Sequence, residues 1–98
     1  MSKITSHTLN GVDGSHAAGI AVSLRNLTTD CTLFETAMDD GGRLSQSIDA
    51  AEIDTAARYE LVFDTGDYWR TKGIDGDNII GEIVLRFAIP DANGHYHM

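Results

Sequence analysis

The chain has 98 residues, enough for one domain, with apolar (42%) and charged (22%) fractions ordinary for a globular protein. A net charge of −8 argues against a nucleic-acid partner, because binding phosphates needs a basic face. The one cysteine, Cys31, leaves no intrachain disulfide, and no apolar run approaches the roughly 20 residues of a membrane span.

Met1-Ser2-Lys3-Ile4 leads straight into a strand pattern, so no signal peptide is expected and a cytoplasmic, reducing compartment fits best. In Ile4 to Asn10, Thr5, His7 and Leu9 share one face, while Ile4, Ser6 and Thr8 share the other. Asn10 to Ser15 is a glycine-bearing turn. Gly19 to Arg25 alternates, with Ile20, Val22 and Leu24 pointing inward. Cys31 to Met38 reads as the next strand, with Leu33 as its core residue and Phe34 on the opposite face. Cys31 has no cationic neighbour in sequence and is expected to be a small buried hydrophobe, not a nucleophile.

Asp39-Asp40-Gly41-Gly42 signals a turn, and Arg43 and the strand Leu44 to Ile48 follow it. Asp49 to Ala57 suits a helical turn or a loop equally. Tyr59, Leu61 and Phe63 alternate with Glu60, Val62 and Asp64 in a half-buried strand. A short helix near residues 66–73 is expected next, with Thr65 or Asp67 as its N-cap and Gly73 as its stop. Ile74 to Gly81 reads as a loop with Asp75-Gly76-Asp77-Asn78 at its tip. Ile83, Leu85, Phe87 and Ile89 form the inward face of another strand, and a turn at Pro90 to Gly94 leads into His95-Tyr96-His97.

About seven short strands and one short helix make an all-β, antiparallel β-sandwich. The His-x-His spacing places His95 and His97 on one face of their strand. His7 stands near the other end of the chain, which suggests a site assembled from both ends. On the residues alone, Arg43 is a solvated charge beside a turn, Tyr68 and Trp69 are packing anchors, and His16 has no role.

Several stretches together resemble the transthyretin-like family, and within it the 5-hydroxyisourate hydrolase branch. They are Ile4 to Asn10 with Gly14 to Gly19, then Asp39 to Arg43, then Tyr59 to Trp69 with its Thr-Gly-Asp-Tyr run, then His95-Tyr96-His97. The family usually has proline where His16 and Gly81 stand, and aspartate-glycine where Gly41-Gly42 precede Arg43. Its members continue past His-Tyr-His through one more strand to a Tyr-Arg-Gly-Ser-type tetrapeptide. Residues 1–98 therefore read as a single transthyretin-like domain lacking that last strand and tetrapeptide. A sandwich without that strand would expose unpaired backbone, so the expectation is of a chain that continues beyond Met98.

The resemblance implies opening of a ring amide of 5-hydroxyisourate by water, during urate breakdown. It implies no cofactor and a metal-free site of His7, Arg43 and His97, serving both catalysis and substrate binding. Histidine titrates near neutrality and suits the activation of water. Arginine presents a planar fork to developing negative charge. On this reading His97 activates water, Arg43 steadies charge and His7 binds the substrate. The resemblance also implies a homotetramer, a dimer of dimers, with sites in a channel between the dimers. Two other readings stand beside it: a small-ligand carrier of the transthyretin type, and a zinc site built on three histidines.

Overall fold

A computed structural model describes residues 1–73 and 79–98. The expected loop tip at Asp75 to Asn78 lies outside the described residues. The elements are β1 (Ser2–His7), β2 (Ala21–Asn26), β3 (Cys31–Ala37), β4 (Arg43–Ile48), β5 (Arg58–Asp64), α1 (Thr65–Thr71), β6 (Ile83–Ala88) and β7 (His95–His97). A single 3-10 turn, Ala50–Glu52, lies in the stretch after β4 whose sequence suits a helical turn and a loop equally. Asp49 caps it by accepting from the Ala51 N–H.

Two sheets face each other. One has three strands in the order β4-β1-β7, and the other has four in the order β3-β2-β5-β6. Their inner faces follow the alternation in the sequence. Ile4, Leu44 and Ile48 from the first sheet pack with Val22, Leu24, Tyr59, Leu61 and Phe63 from the second, all buried. This is the sandwich expected, with one refinement. Among the described residues every strand pairing is antiparallel except β1 with β7, which run parallel. β7 arrives from β6 in the opposite sheet, so no hairpin constrains its direction.

β1 carries Ser2 and Ser6 on its buried face, where apolar residues would be usual. Both hydroxyls are satisfied by the chain around β7. Ser2 donates to the Ala92 carbonyl at 2.7 Å, and Ser6 donates to the Met98 carbonyl at 2.6 Å. A buried hydroxyl without a partner costs free energy, so these serines favour the one docking of β7 that pairs them. Backbone bonds from Lys3 N–H to the Gly94 carbonyl (2.9 Å) and from Met98 N–H to the Thr5 carbonyl (2.8 Å) fix the same register.

Some local expectations are corrected. The cap of α1 is Asp64, whose carboxylate accepts from the Asp67 N–H at 3.1 Å, rather than Thr65 or Asp67. Asp64 ends β5 and opens the helix at once, so no separate cap residue is inserted. Gly73, at φ 77°, stands after the helix as expected. In β3 a register shift opposite Leu24 and Arg25 gives Phe34 the place facing Leu24, while Leu33 falls in the bulge. Both are partly buried against the core. Cys31 is exposed, because it opens β3 next to the polar turn instead of lying under the opposite sheet.

The inward residues of β6 are also only partly covered. Ile83 and Leu85 pair with Phe63 and Leu61 and share their face, yet they are 48% and 38% exposed. Among the described residues the facing sheet has three strands against four, so its cover stops short of β6.

Candidate active site

The sequence-predicted residues gather on the outer face of the three-stranded sheet. On β1, Lys3, Thr5 and His7 alternate away from the buried Ser2, Ile4 and Ser6. On β4, Arg43, Ser45 and Ser47 share that outer face, and on β7 His95 and His97 do. Register sets neighbours across the sheet: His7 lies opposite Arg43, Thr5 opposite Ser45 and His97, and Lys3 opposite His95.

Arg43 is placed by the turn before it. One carboxylate oxygen of Asp39 accepts from the Gly41 and Arg43 N–H groups, both at 2.9 Å. Gly42 has φ 69°, a left-handed conformation that suits glycine. A Cβ there would stand 2.5 Å from the Thr8 carbonyl oxygen. That closeness is needed, because the Thr8 N–H donates to the Gly42 carbonyl at 2.7 Å and holds the turn to the end of β1. Arg43 therefore starts β4 from a rigid corner. Among the described residues its guanidinium makes no ion pair, so its donors are free for a ligand.

Thr5, Arg43, Ser45, His97 and Asp39 line a shallow depression of about 380 Å³. Arg43 and His97 stand on β4 and β7 with β1 between them. A ligand touching both spans two strand spacings, roughly 10 Å between backbones. A flat bicyclic heterocycle has that reach. The depression offers a cationic fork on one side and an imidazole on the other, with hydroxyls on its floor.

His7 belongs to the same face but stands outside that depression. Its Nε2 meets Nδ1 of His16 at 3.0 Å, with ring centroids 5.1 Å apart. A short bridge between Leu9 and His16 brings the two residues together. His95 and His97 do not contact each other directly. The Thr5 hydroxyl stands between them, 3.0 Å from His95 Nε2 and 2.9 Å from His97 Nδ1. Among the described residues no group of three or more His, Cys, Asp or Glu is placed to hold a metal ion. His7, His95 and His97 do not converge as the three-histidine zinc reading requires.

Sequence reasoning missed Thr5 and His16. Alternation puts Thr5 on the face of His7, but nothing in the spacing announces a hydroxyl between two rings from a strand ninety residues away. His16 sits where the family usually has proline, and that departure was the available signal.

The HIUase/Transthyretin family model matches residues 4–98. The 5-hydroxyisourate hydrolase of Pseudomonas aeruginosa is 31% identical over 102 residues, covering 100% of this chain and 81% of that protein. The 5-hydroxyisourate hydrolase 2 of Rhizobium meliloti is 35% identical over 100 residues, covering 98% of this chain and 83% of that protein. Among solved structures, the 5-hydroxyisourate hydrolase of Klebsiella pneumoniae superposes with a TM-score of 0.79 at 28% identity, over 99% of this chain and 85% of that one. A match of this extent, together with two full-length relatives of one name, shows that the chain belongs to the HIUase/Transthyretin family.

Proposed function

We propose that this chain is a hydrolase that opens a ring amide of 5-hydroxyisourate with water, in purine degradation. The observation that carries the reading is that Arg43 and His97 line one depression, in a chain whose curated relatives bear that enzyme's name. His97 takes a proton from water as the oxygen attacks the amide carbon. The carbonyl oxygen gains negative charge, which the Arg43 guanidinium stabilises. The carbon–nitrogen bond then breaks, and the proton held by His97 passes to the leaving nitrogen. His7, at the margin of the face and paired with His16, holds a polar edge of the substrate. No step calls for a metal or cofactor.

Exposure argues for assembly. Arg43, His95 and His97 are all exposed in the single chain. Water at such a site screens charge and weakens every electrostatic contribution to the barrier. A homotetramer, built as a dimer of dimers with these faces turned to one another, removes that water. The working compartment is the cytoplasm.

The test is the decay of freshly generated 5-hydroxyisourate, followed by ultraviolet absorbance with and without protein. Fast decay is expected from the wild type, and decay at the uncatalysed rate from His97→Asn with its assembly intact on a sizing column. A folded wild-type protein that leaves the spontaneous rate unchanged would overturn the proposal. Tight ligand binding without turnover would point to a carrier instead.

A further inference from the structure

We infer that Thr5 is a positioning residue that sets which nitrogen of His97 carries the proton. This rests on the reading of His97 as the group that activates water. Thr5 lies directly opposite His97 in the parallel pairing, and the Met98 N–H bond to its carbonyl holds that register. His95 and His97 are two residues apart on β7, so their rings project to the same side as the Thr5 side chain. Threonine is stiff at χ1, which keeps its hydroxyl in one place. That single hydroxyl lies 3.0 Å from His95 Nε2 and 2.9 Å from His97 Nδ1.

A hydroxyl carries one proton and two lone pairs, so with neutral imidazoles it donates to at most one of the two rings and accepts from the other. If it donates to His97 Nδ1, the His97 proton is forced onto Nε2, and that ring has no nitrogen left to act as a base. If it donates to His95 Nε2, it accepts from His97 Nδ1–H and leaves the lone pair on His97 Nε2. Only the second arrangement also suits His97 after proton uptake, because the cation carries Nδ1–H as well. Nε2 can then gain and lose a proton with no change in the bonds to Thr5. His95 thus has a part of its own as the neutral acceptor that orients the Thr5 proton. Thr5 and His95 act through His97 and do not touch the reacting atoms.

An imidazole free in water prefers the proton on Nε2, the wrong nitrogen for this task. Removing the Thr5 hydroxyl therefore lowers the fraction of base-competent His97. Thr5→Val keeps the β-branched shape a strand accepts and deletes only the hydrogen-bonding group; Thr5→Ser keeps the hydroxyl. The experiment records the nitrogen-15 spectra of the imidazole rings in the folded, substrate-free wild type and both variants, beside their steady-state kinetics. The wild type and Thr5→Ser are expected to show His97 with Nδ1–H, and Thr5→Val to move toward Nε2–H. Thr5→Val is expected to lose about tenfold in kcat, the worth of one net hydrogen bond, with KM changed by less than about twofold. His97 found with Nε2–H in the wild type overturns the inference. So does a Thr5→Val variant with an unchanged His97 spectrum or an unchanged kcat. A wild type with the expected spectrum and no turnover would instead remove the hydrolase reading, since the spectra need no substrate.

Discussion

At the residue scale the corner before β4 is the most demanding position. Gly42→Ala adds a Cβ 2.5 Å from a backbone oxygen at a φ of 69°. The Thr8 carbonyl cannot retreat without disturbing the backbone bond beside it, so the variant is expected to lose about 2–3 kcal/mol of stability in urea unfolding. Activity should fall further than stability explains, because Arg43 moves with the turn. Arg43→Lys keeps the charge and removes the planar fork, and is expected to lower kcat/KM by at least about tenfold while leaving unfolding unchanged. Away from the site, hydrogen bonds from the Ser15 hydroxyl and then its N–H hold the exposed Asp13 carboxyl below its ordinary pKa. A folded-state value below the unfolded one means its stabilisation is present above the unfolded pKa and is lost as pH falls through the folded one. A carboxyl titration by NMR should show Asp13 returning toward its ordinary value in Ser15→Ala. The candidates His7, Arg43 and His97 come from the family resemblance, and strand alternation places them on one outer face. Thr5 was not legible in the sequence, since its contacts depend on β7 running parallel to β1 in one register, and no local pattern encodes that.

At the scale of elements, strand alternation carried most of the fold. Ile20, Val22 and Leu24, then Tyr59, Leu61 and Phe63, are buried as their spacing implies. The misreadings occur where an element meets a neighbour. The bulge beside Leu24 moves Phe34 inward, and Asp64 serves both β5 and α1. That double use makes a prediction. Asp64→Ala removes the acceptor for the Asp67 N–H while leaving the β5 backbone bonds in place. It should cost about 1 kcal/mol, seen as a lower midpoint in urea with an unchanged slope. The exposed Ile83 and Leu85 could not have been foreseen from β6, whose alternation is regular. Their exposure follows from how many strands stand opposite them.

At the scale of the whole molecule, the four histidines lie on or beside one outer face of a chain with a net charge of −8. If assembly closes that face from water, specific activity should fall on dilution in step with dissociation measured by light scattering. Constant activity across the dissociation would remove the tetramer from the mechanism. The docking of β7 on β1 carries a temporal consequence. Thr5 and His97 are separated by 92 positions, close to the longest separation the chain offers. A chain leaving the ribosome can fold β2, β3 and β5 together while His97 remains apart from Thr5. Contacts between such distant residues close late, after shorter loops have formed. The candidate site is thus assembled later than the four-stranded sheet's β2, β3 and β5, and a nascent chain remains without it until His97 has been released.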